Sequence, residues 1–98
     1  MEGMTLKQFK NTMIEFDEIE FTYRGIMHDF QKDDVEDDKI KISIWQCGDN
    51  PKCLYSIEIE NNITFIAEAV ENLINAKIFF DDKSIVDGSF DINVEFFT

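Results

Sequence analysis

Apolar and polar residues alternate along two adjacent runs in the middle of the chain, residues 39–46 and 54–60. The apolar members are Ile40, Ile42 and Ile44 in the first run and Tyr55, Ile57 and Ile59 in the second. Successive side chains of a strand point to opposite faces of a sheet, so each run predicts a strand with one apolar face. Gly48, Asp49, Asn50 and Pro51 lie between the runs and favour a turn. Residues 39–60 therefore predict a β-hairpin.

A second pair of alternating runs precedes the first. Its apolar positions are Ile19, Phe21 and Tyr23, followed by Ile26, His28 and Phe30. Arg24-Gly25 separates them, and Gly25 can adopt the positive φ that a two-residue hairpin turn requires. Between the two hairpins, residues 32–38 (KDDVEDD) hold five carboxylates in six positions. Like charges at this density predict an extended, solvated and mobile loop.

Helical spacing appears twice. Thr5 and Gln8 fit a capping box, and the apolar positions that follow predict a helix from Leu6 to Met13. Asn61-Asn62 can cap a second helix, predicted from Thr64 to Ala76, with an apolar stripe at Ile66, Ala69, Val70 and Leu73. The last nine residues before Thr98 alternate again and predict a strand with Phe90, Ile92, Val94 and Phe96 on one face.

The order of these elements predicts one α+β domain covering residues 1–98. Its antiparallel sheet has four to five strands built from two hairpins, with a short N-terminal helix, one longer helix packed on the sheet and a C-terminal strand. Repeated strand-helix-strand units, which build parallel sheets, are absent. A continuously curled, barrel-like sheet is the alternative.

The charge balance limits the partners that this fold is expected to bind. Nine Lys and Arg against 21 Asp and Glu give a formal net charge of -12 on 98 residues. Such a chain repels nucleic acid and anionic membranes, and its single Arg leaves few groups for phosphate contacts. Either the charge attracts a basic protein partner or it serves solubility.

Location and source follow from weaker signals. The N-terminus lacks the apolar run of a signal peptide, no stretch approaches a membrane helix, and Cys47 and Cys53 are the two cysteines. These features predict a cytoplasmic protein. Abundant Ile, Asn, Asp, Lys and Phe beside few Ala, Arg, Gly and Pro are typical of an AT-rich bacterial genome or of its phages and mobile elements.

Catalytic and metal chemistry find little support. His28 is the sole histidine and shares a face with apolar residues, so a core or sheet-edge imidazole is expected rather than a catalytic one. Five residues separate Cys47 from Cys53, which matches neither a zinc site nor a redox motif. The Asp clusters lack the ligand spacing of a calcium loop. We expect no catalytic residues, no metal and no cofactor.

The candidate partner-binding residues are therefore acidic, together with one aromatic. Trp45 points away from the apolar face of its strand, so either a helix covers that face or Trp45 is partly exposed, where Trp commonly anchors interfaces. The full set is Asp33, Asp34, Glu36, Asp37, Asp38, Trp45, Glu58, Glu60, Glu68 and Glu71.

These features predict a non-enzymatic acidic interaction protein that inhibits or neutralises a basic nucleic-acid-handling protein, such as a nuclease or CRISPR effector, by charge mimicry. In size and charge the chain is similar to immunity proteins against nuclease toxins and to phage anti-CRISPR proteins; this similarity is one of composition alone. The alternative is a small cytoplasmic module that is acidic for solubility and forms a homodimer through its C-terminal strand. An enzyme that uses carboxylates is the third interpretation.

Overall fold

The structure, a computed structural model, describes residues 1–98. Its elements follow the chain in this order: α1 (Leu6–Glu15), β1 (Glu18–Tyr23), β2 (Ile26–Val35), β3 (Lys39–Gln46), β4 (Lys52–Glu60), α2 (Ile63–Asn75), a 3-10 turn (Ser89–Asp91) and β5 (Ile92–Phe97). The five strands form one antiparallel sheet in the order β4-β3-β2-β1-β5. The predicted α+β fold is confirmed, and the sheet stays open with β4 and β5 as its edges.

One face of the sheet packs against both helices. Its buried side chains include Phe21 and Tyr23 on β1, Phe30 on β2, and Ile42 and Ile44 on β3, as the alternation predicts. The apolar stripe of α2 closes over them together with Phe9 and Met13 of α1. The segment after α2 contributes Ile78, Phe79 and Ile85 to the same core without forming regular structure until residue 89.

The helices begin where their capping residues predict. The Gln8 amide donates to Thr5 Oγ1 at 3.1 Å and the Thr5 amide donates to Gln8 Oε1 at 2.8 Å, which completes the capping box. The Thr64 amide donates to Asn62 Oδ1 at 2.8 Å at the start of α2. α1 is longer than predicted and reaches Glu15, because Lys32 Nζ donates to the Ile14 carbonyl at 2.6 Å and satisfies its last turn.

The predicted acidic loop between the hairpins is too long, and only its last three residues lie outside the strands. β2 continues to Val35, so Asp33 and Asp34 lie in a strand, and only Glu36–Asp38 form the turn into β3. Asp33 pairs with Lys41 across the ladder, an opposite-charge pair that favours the strand. Asp37 and Asp38 adopt left-handed φ values of 59° and 57°, a conformation that Asp tolerates better than most residues.

The predicted face of the C-terminal strand is wrong at both ends. Phe90 lies in the 3-10 turn and is 93% exposed. A register shift opposite Glu20 and Phe21 makes Glu95 an extra residue, because Phe21 pairs with Val94 whereas Glu20 pairs with Phe96. The bulge moves Phe96 to the opposite face and places Phe97 on the helix-covered side, against Phe16 at a ring-centroid distance of 4.9 Å.

Candidate functional site

The second face of the sheet, which we call the open face, carries neither helix. Its strand residues are exposed or half-buried except for Ser43, which is small and central. Trp45 is half-buried there, so the partly exposed alternative for this side chain is the one observed. An uncovered sheet face with a Trp on it is available for contact with a partner.

Six carboxylates and two lysines lie on the open face. The carboxylates are Glu18, Glu20, Asp29, Asp33, Glu58 and Glu60, and the lysines are Lys39 and Lys41. Both lysines lie on β3 toward the β2–β3 turn, where Lys41 faces Asp33 on one side and Glu58 on the other. The opposite end of the face therefore holds carboxylates with no cation beside them in the ladder.

The residues at that end form a cluster that we call the acidic–aromatic patch: Glu18, Glu20, Asp29, Trp45 and Phe96. One row of the sheet brings most of them together, since Asp29 pairs with Trp45 on one side and with Glu20 on the other, and Glu20 pairs with Phe96. Phe96 is 46% exposed. None of the ion pairs in the structure involves these carboxylates.

Asp29 is the most constrained carboxylate of the patch. Gln31 Nε2 donates to its Oδ2 at 2.6 Å, whereas its Oδ1 is hidden from solvent and has no hydrogen-bond partner. Burial raises the pKa of Asp29, the hydrogen bond from Gln31 opposes that rise, and the carboxylates of Glu18, Glu20 and Asp33 add to it. A cationic group that binds beside Asp29 would relieve the repulsion among these carboxylates.

The cysteines are free thiols. Burial raises the pKa of Cys47, and the Asp29 and Glu20 carboxylates raise it further, so this thiol is held in its unreactive protonated form. Cys53 is exposed on β4 and pairs in register with Trp45. His, Cys, Asp and Glu side chains nowhere converge in a group of three or more that could hold a metal ion.

The structure divides the predicted partner-binding residues among four places. Trp45, Asp33, Glu58 and Glu60 share the open face, and Glu36, Asp37 and Asp38 lie in the turn at its end. Asp34 belongs to the helix-covered side, opposite Ile40. Glu68 and Glu71 lie on exposed positions of α2, where Glu71 pairs with Lys10 of α1. The set is therefore not a single surface.

Three carboxylates of the patch, Glu18, Glu20 and Asp29, were not among the predicted residues. The alternation of β1 and β2 already placed them opposite the apolar positions. The alternation alone does not show which side of the sheet the helices leave uncovered. Phe96 was missed for another reason, because the bulge that turns it onto the open face leaves no mark in a run where both Phe96 and Phe97 are apolar.

No protein-family model, no curated protein and no solved structure matches this chain. Neither helix has the length and apolar character needed to cross a membrane. A function is therefore inferred from the side chains of the open face.

Proposed function

We propose that this protein is a non-enzymatic inhibitor of a basic nucleic-acid-handling protein, such as a nuclease or CRISPR effector, and that it binds that partner through the open face. The observation that supports this proposal is the acidic–aromatic patch. It combines carboxylates that have no cation beside them with two partly exposed aromatic side chains, Trp45 and Phe96.

The spacing of the patch suits the mimicry of a phosphate backbone. Carboxylates two residues apart on one strand, such as Glu18 and Glu20, have backbone positions about 7 Å apart, and paired residues on neighbouring strands lie about 5 Å apart. A rigid sheet holds these charges without the entropy cost of ordering a loop. A groove lined by Lys and Arg that evolved for nucleic acid would meet a comparable negative surface, and the net charge of -12 would accelerate the encounter.

Trp45 adds an aromatic contact to the charges of the patch. Trp45 is the register partner of Asp29 on the open face, so an Arg or Lys that reaches the carboxylate can also stack on the indole. Desolvated aromatic anchors contribute strongly to interfaces, whereas exposed charge pairs contribute little. A partner held through Trp45 is expected to resist salt that removes purely electrostatic binding.

The test is capture with the tagged protein from extract of its source cells, with a wash at low salt and a second at about 0.5 M salt, where the range of charge interactions falls to a few ångströms. One stoichiometric basic protein that persists through the second wash, and whose action on nucleic acid is blocked by this protein, is the expected result. A mixture of basic proteins that all wash away would overturn the proposal and leave acidity for solubility as the explanation.

A matched pair of variants locates the surface. Trp45→Ala combined with Glu18→Lys and Glu20→Lys should lower affinity at least about tenfold, because it removes the anchor and reverses two patch charges. The control, Glu15→Lys with Asp87→Lys, makes the same charge change at exposed positions of α1 and of the segment after α2. Equal loss of affinity in both variants would rule out the open face as the binding surface.

The predicted homodimer through the C-terminal strand is the second candidate. It is favoured by the exposure of Phe96 and Phe97 on the β5 edge. Two features of that edge oppose it, since Glu2 forms a parallel bridge to Asn93 and the bulge at Glu95 interrupts the strand. Sedimentation velocity of the purified protein distinguishes the two, because the inhibitor needs no self-association.

A further inference from the structure

The outer edge of β4 offers unpaired backbone groups to a partner, whereas the open face offers side chains. β4 is an edge strand of nine residues that pairs with β3 on one side only, regularly over residues 55–60 and with a bulge at Leu54 before them. In an edge strand, alternate backbone N–H and C=O groups point outward without a partner. No bridge or terminal segment covers this edge, in contrast to β5, whose outer side pairs with Glu2.

An apolar groove lies along the helix side of the same edge, between β4 and α2. Ile57 and Ile59 form its strand wall, Phe65 and Ala69 form its helix wall, and its volume is about 360 Å³. Glu60, Glu68 and Asn72 complete the lining and form its polar rim. Phe65 is 44% exposed although its position on α2 faces other apolar residues. A strand edge beside an apolar groove is the arrangement with which proteins bind an extended peptide as an additional strand.

The two sides of β4 specify the sequence of such a peptide. Side chains that point to the helix side would enter the groove beside Ile57 and Ile59. Side chains that point to the other side would lie next to Glu58 and Glu60 on the open face. Because strand side chains alternate, the fitting peptide has apolar residues at every second position and basic residues between them.

We propose that the β4 edge and its groove bind an extended segment of a partner protein in which apolar residues alternate with Lys or Arg. Charge decides against a second copy of this chain as the occupant, because two bodies of formal charge -12 repel each other, whereas a basic segment is attracted. This binding mode is separate from the proposed inhibition, since it uses the edge of the sheet rather than the acidic–aromatic patch.

The probe is a fluorescent peptide as long as the regular part of β4, residues 55–60, in which Ile and Lys alternate; its binding is measured by fluorescence anisotropy at about 0.15 M salt. A peptide of the same composition with the Ile residues grouped at one end should bind at least about tenfold more weakly, because it carries the same charge but cannot place Ile in the groove at alternate positions. Equal binding of both peptides would show simple counter-charge attraction and overturn the proposal.

Backbone pairing has its own test. Two versions of the peptide are N-methylated on alternate amides, so that one version loses the N–H groups facing β4 and the other loses those facing away. Addition as a strand predicts that one version binds at least about tenfold more weakly than the other. Equal affinities of the two versions would exclude strand addition.

Protein variants locate the site. Glu58→Lys with Glu60→Lys should reverse the preference, so that a peptide alternating Ile and Glu binds better than the Ile and Lys peptide. Phe65→Ala should weaken either peptide, and its circular dichroism melt checks the fold. Glu2→Lys with Glu95→Lys makes the same charge change at the β5 edge; a reversal there as large as at β4 would contradict the proposal.

Two further results separate this proposal from the others. The Trp45→Ala variant should bind the peptide as tightly as the wild type does, even if it no longer binds the basic protein captured from cell extract. Either proposal can therefore fail while the other stands. A dimer of the purified protein whose β4 amides are protected from hydrogen exchange without any peptide would show that a second copy already occupies the edge, and would overturn this proposal.

Discussion

His28 is a residue whose chemistry is set by its surroundings rather than by its type. It is fully buried, stacks on Phe21 at a ring-centroid distance of 5.3 Å and lies edge-on to Tyr23 and Phe79. Its Nδ1 lies 2.8 Å from the Ile26 carbonyl, which makes Nδ1–H the donor, and Nε2 has no partner. Burial lowers the pKa of His28, and the contact with the Ile26 carbonyl opposes that shift only in part.

This lowered pKa predicts a loss of stability in mild acid. An unfolded His has a pKa of about 6.5, so below that pH the unfolded state binds a proton that the folded state rejects. The contribution of His28 to the free energy of unfolding is complete above about pH 6.5. It falls by up to about 1.4 kcal/mol per pH unit below that value until the folded state also takes up the proton.

Urea unfolding of the wild type and of His28→Phe at pH 7.5 and 5.5 measures this effect. The variant should lose less stability than the wild type on acidification, because the carboxylates titrate in both proteins and cancel in the comparison. His28→Gln, which keeps a smaller side chain, provides the same comparison if Phe fits poorly. An identical pH dependence in all three proteins would contradict the assignment.

At the scale of elements, the turn between β2 and β3 places two consecutive non-glycine residues in the left-handed region. Asp37 and Asp38 both have positive φ, the Lys39 amide donates to the Glu36 carbonyl at 3.3 Å, and the turn concentrates three carboxylates. Asn followed by Gly is the pair that best fits two consecutive positive φ values in a hairpin turn. The present residues serve the turn less well than that pair would.

Asp37→Asn combined with Asp38→Gly should therefore stabilise the protein by about 1 kcal/mol, through better turn conformation and lower repulsion. The midpoint of urea unfolding measures the gain. Asp33→Asn with Asp34→Asn removes the same charge from extended backbone and should give a smaller gain, since Asp33 has Lys41 beside it. If the two variants gain equally, charge rather than conformation limits the turn.

The elements also show where sequence reasoning succeeds and where it fails. Alternation located β1 to β4 because each strand turns one face toward the core, although this face is half-buried rather than buried in β4. The extension of β2 to Val35 was missed because the charge of residues 33–38 was visible while the register that places Asp33 opposite Lys41 was not. Tyr23 Oη donates a hydrogen bond to Asp81 Oδ2 at 2.6 Å. These residues are 58 positions apart in the chain, and no local sequence pattern predicts their contact.

The candidate site could also be predicted only in part. The charge of the chain and the outward direction of Trp45 could be read from the sequence, because composition and alternation are local. Which acidic side chains join Trp45 depends on which face the helices leave uncovered, and this is decided by the packing of α1 and α2 together over the core. The groove beside β4 depends on the path of α2 across the sheet and is equally invisible in the sequence.

At the scale of the whole molecule, net charge and size determine how salt acts on stability. The molecule measures 37 × 30 × 24 Å and carries a formal charge of -12. At about 10 mM salt the screening length is about 30 Å, so carboxylates on opposite sides of the molecule repel each other. At about 0.15 M it is about 8 Å, and only neighbours such as those within the acidic–aromatic patch still interact strongly.

The melting temperature should therefore rise by about 5 °C between about 10 mM and 0.15 M NaCl, as expected if screening relieves about 1 kcal/mol of repulsion in a domain of this size. Differential scanning calorimetry measures it. Glu18→Gln with Glu20→Gln and Asp29→Asn removes three charges from the patch and should melt higher at low salt and gain less from NaCl. Sucrose, which stabilises without screening, should raise both melting temperatures alike. An equal NaCl gain in both proteins would show that patch repulsion does not limit stability; a smaller gain would mean that the patch is maintained at a cost in stability, as expected for a binding surface.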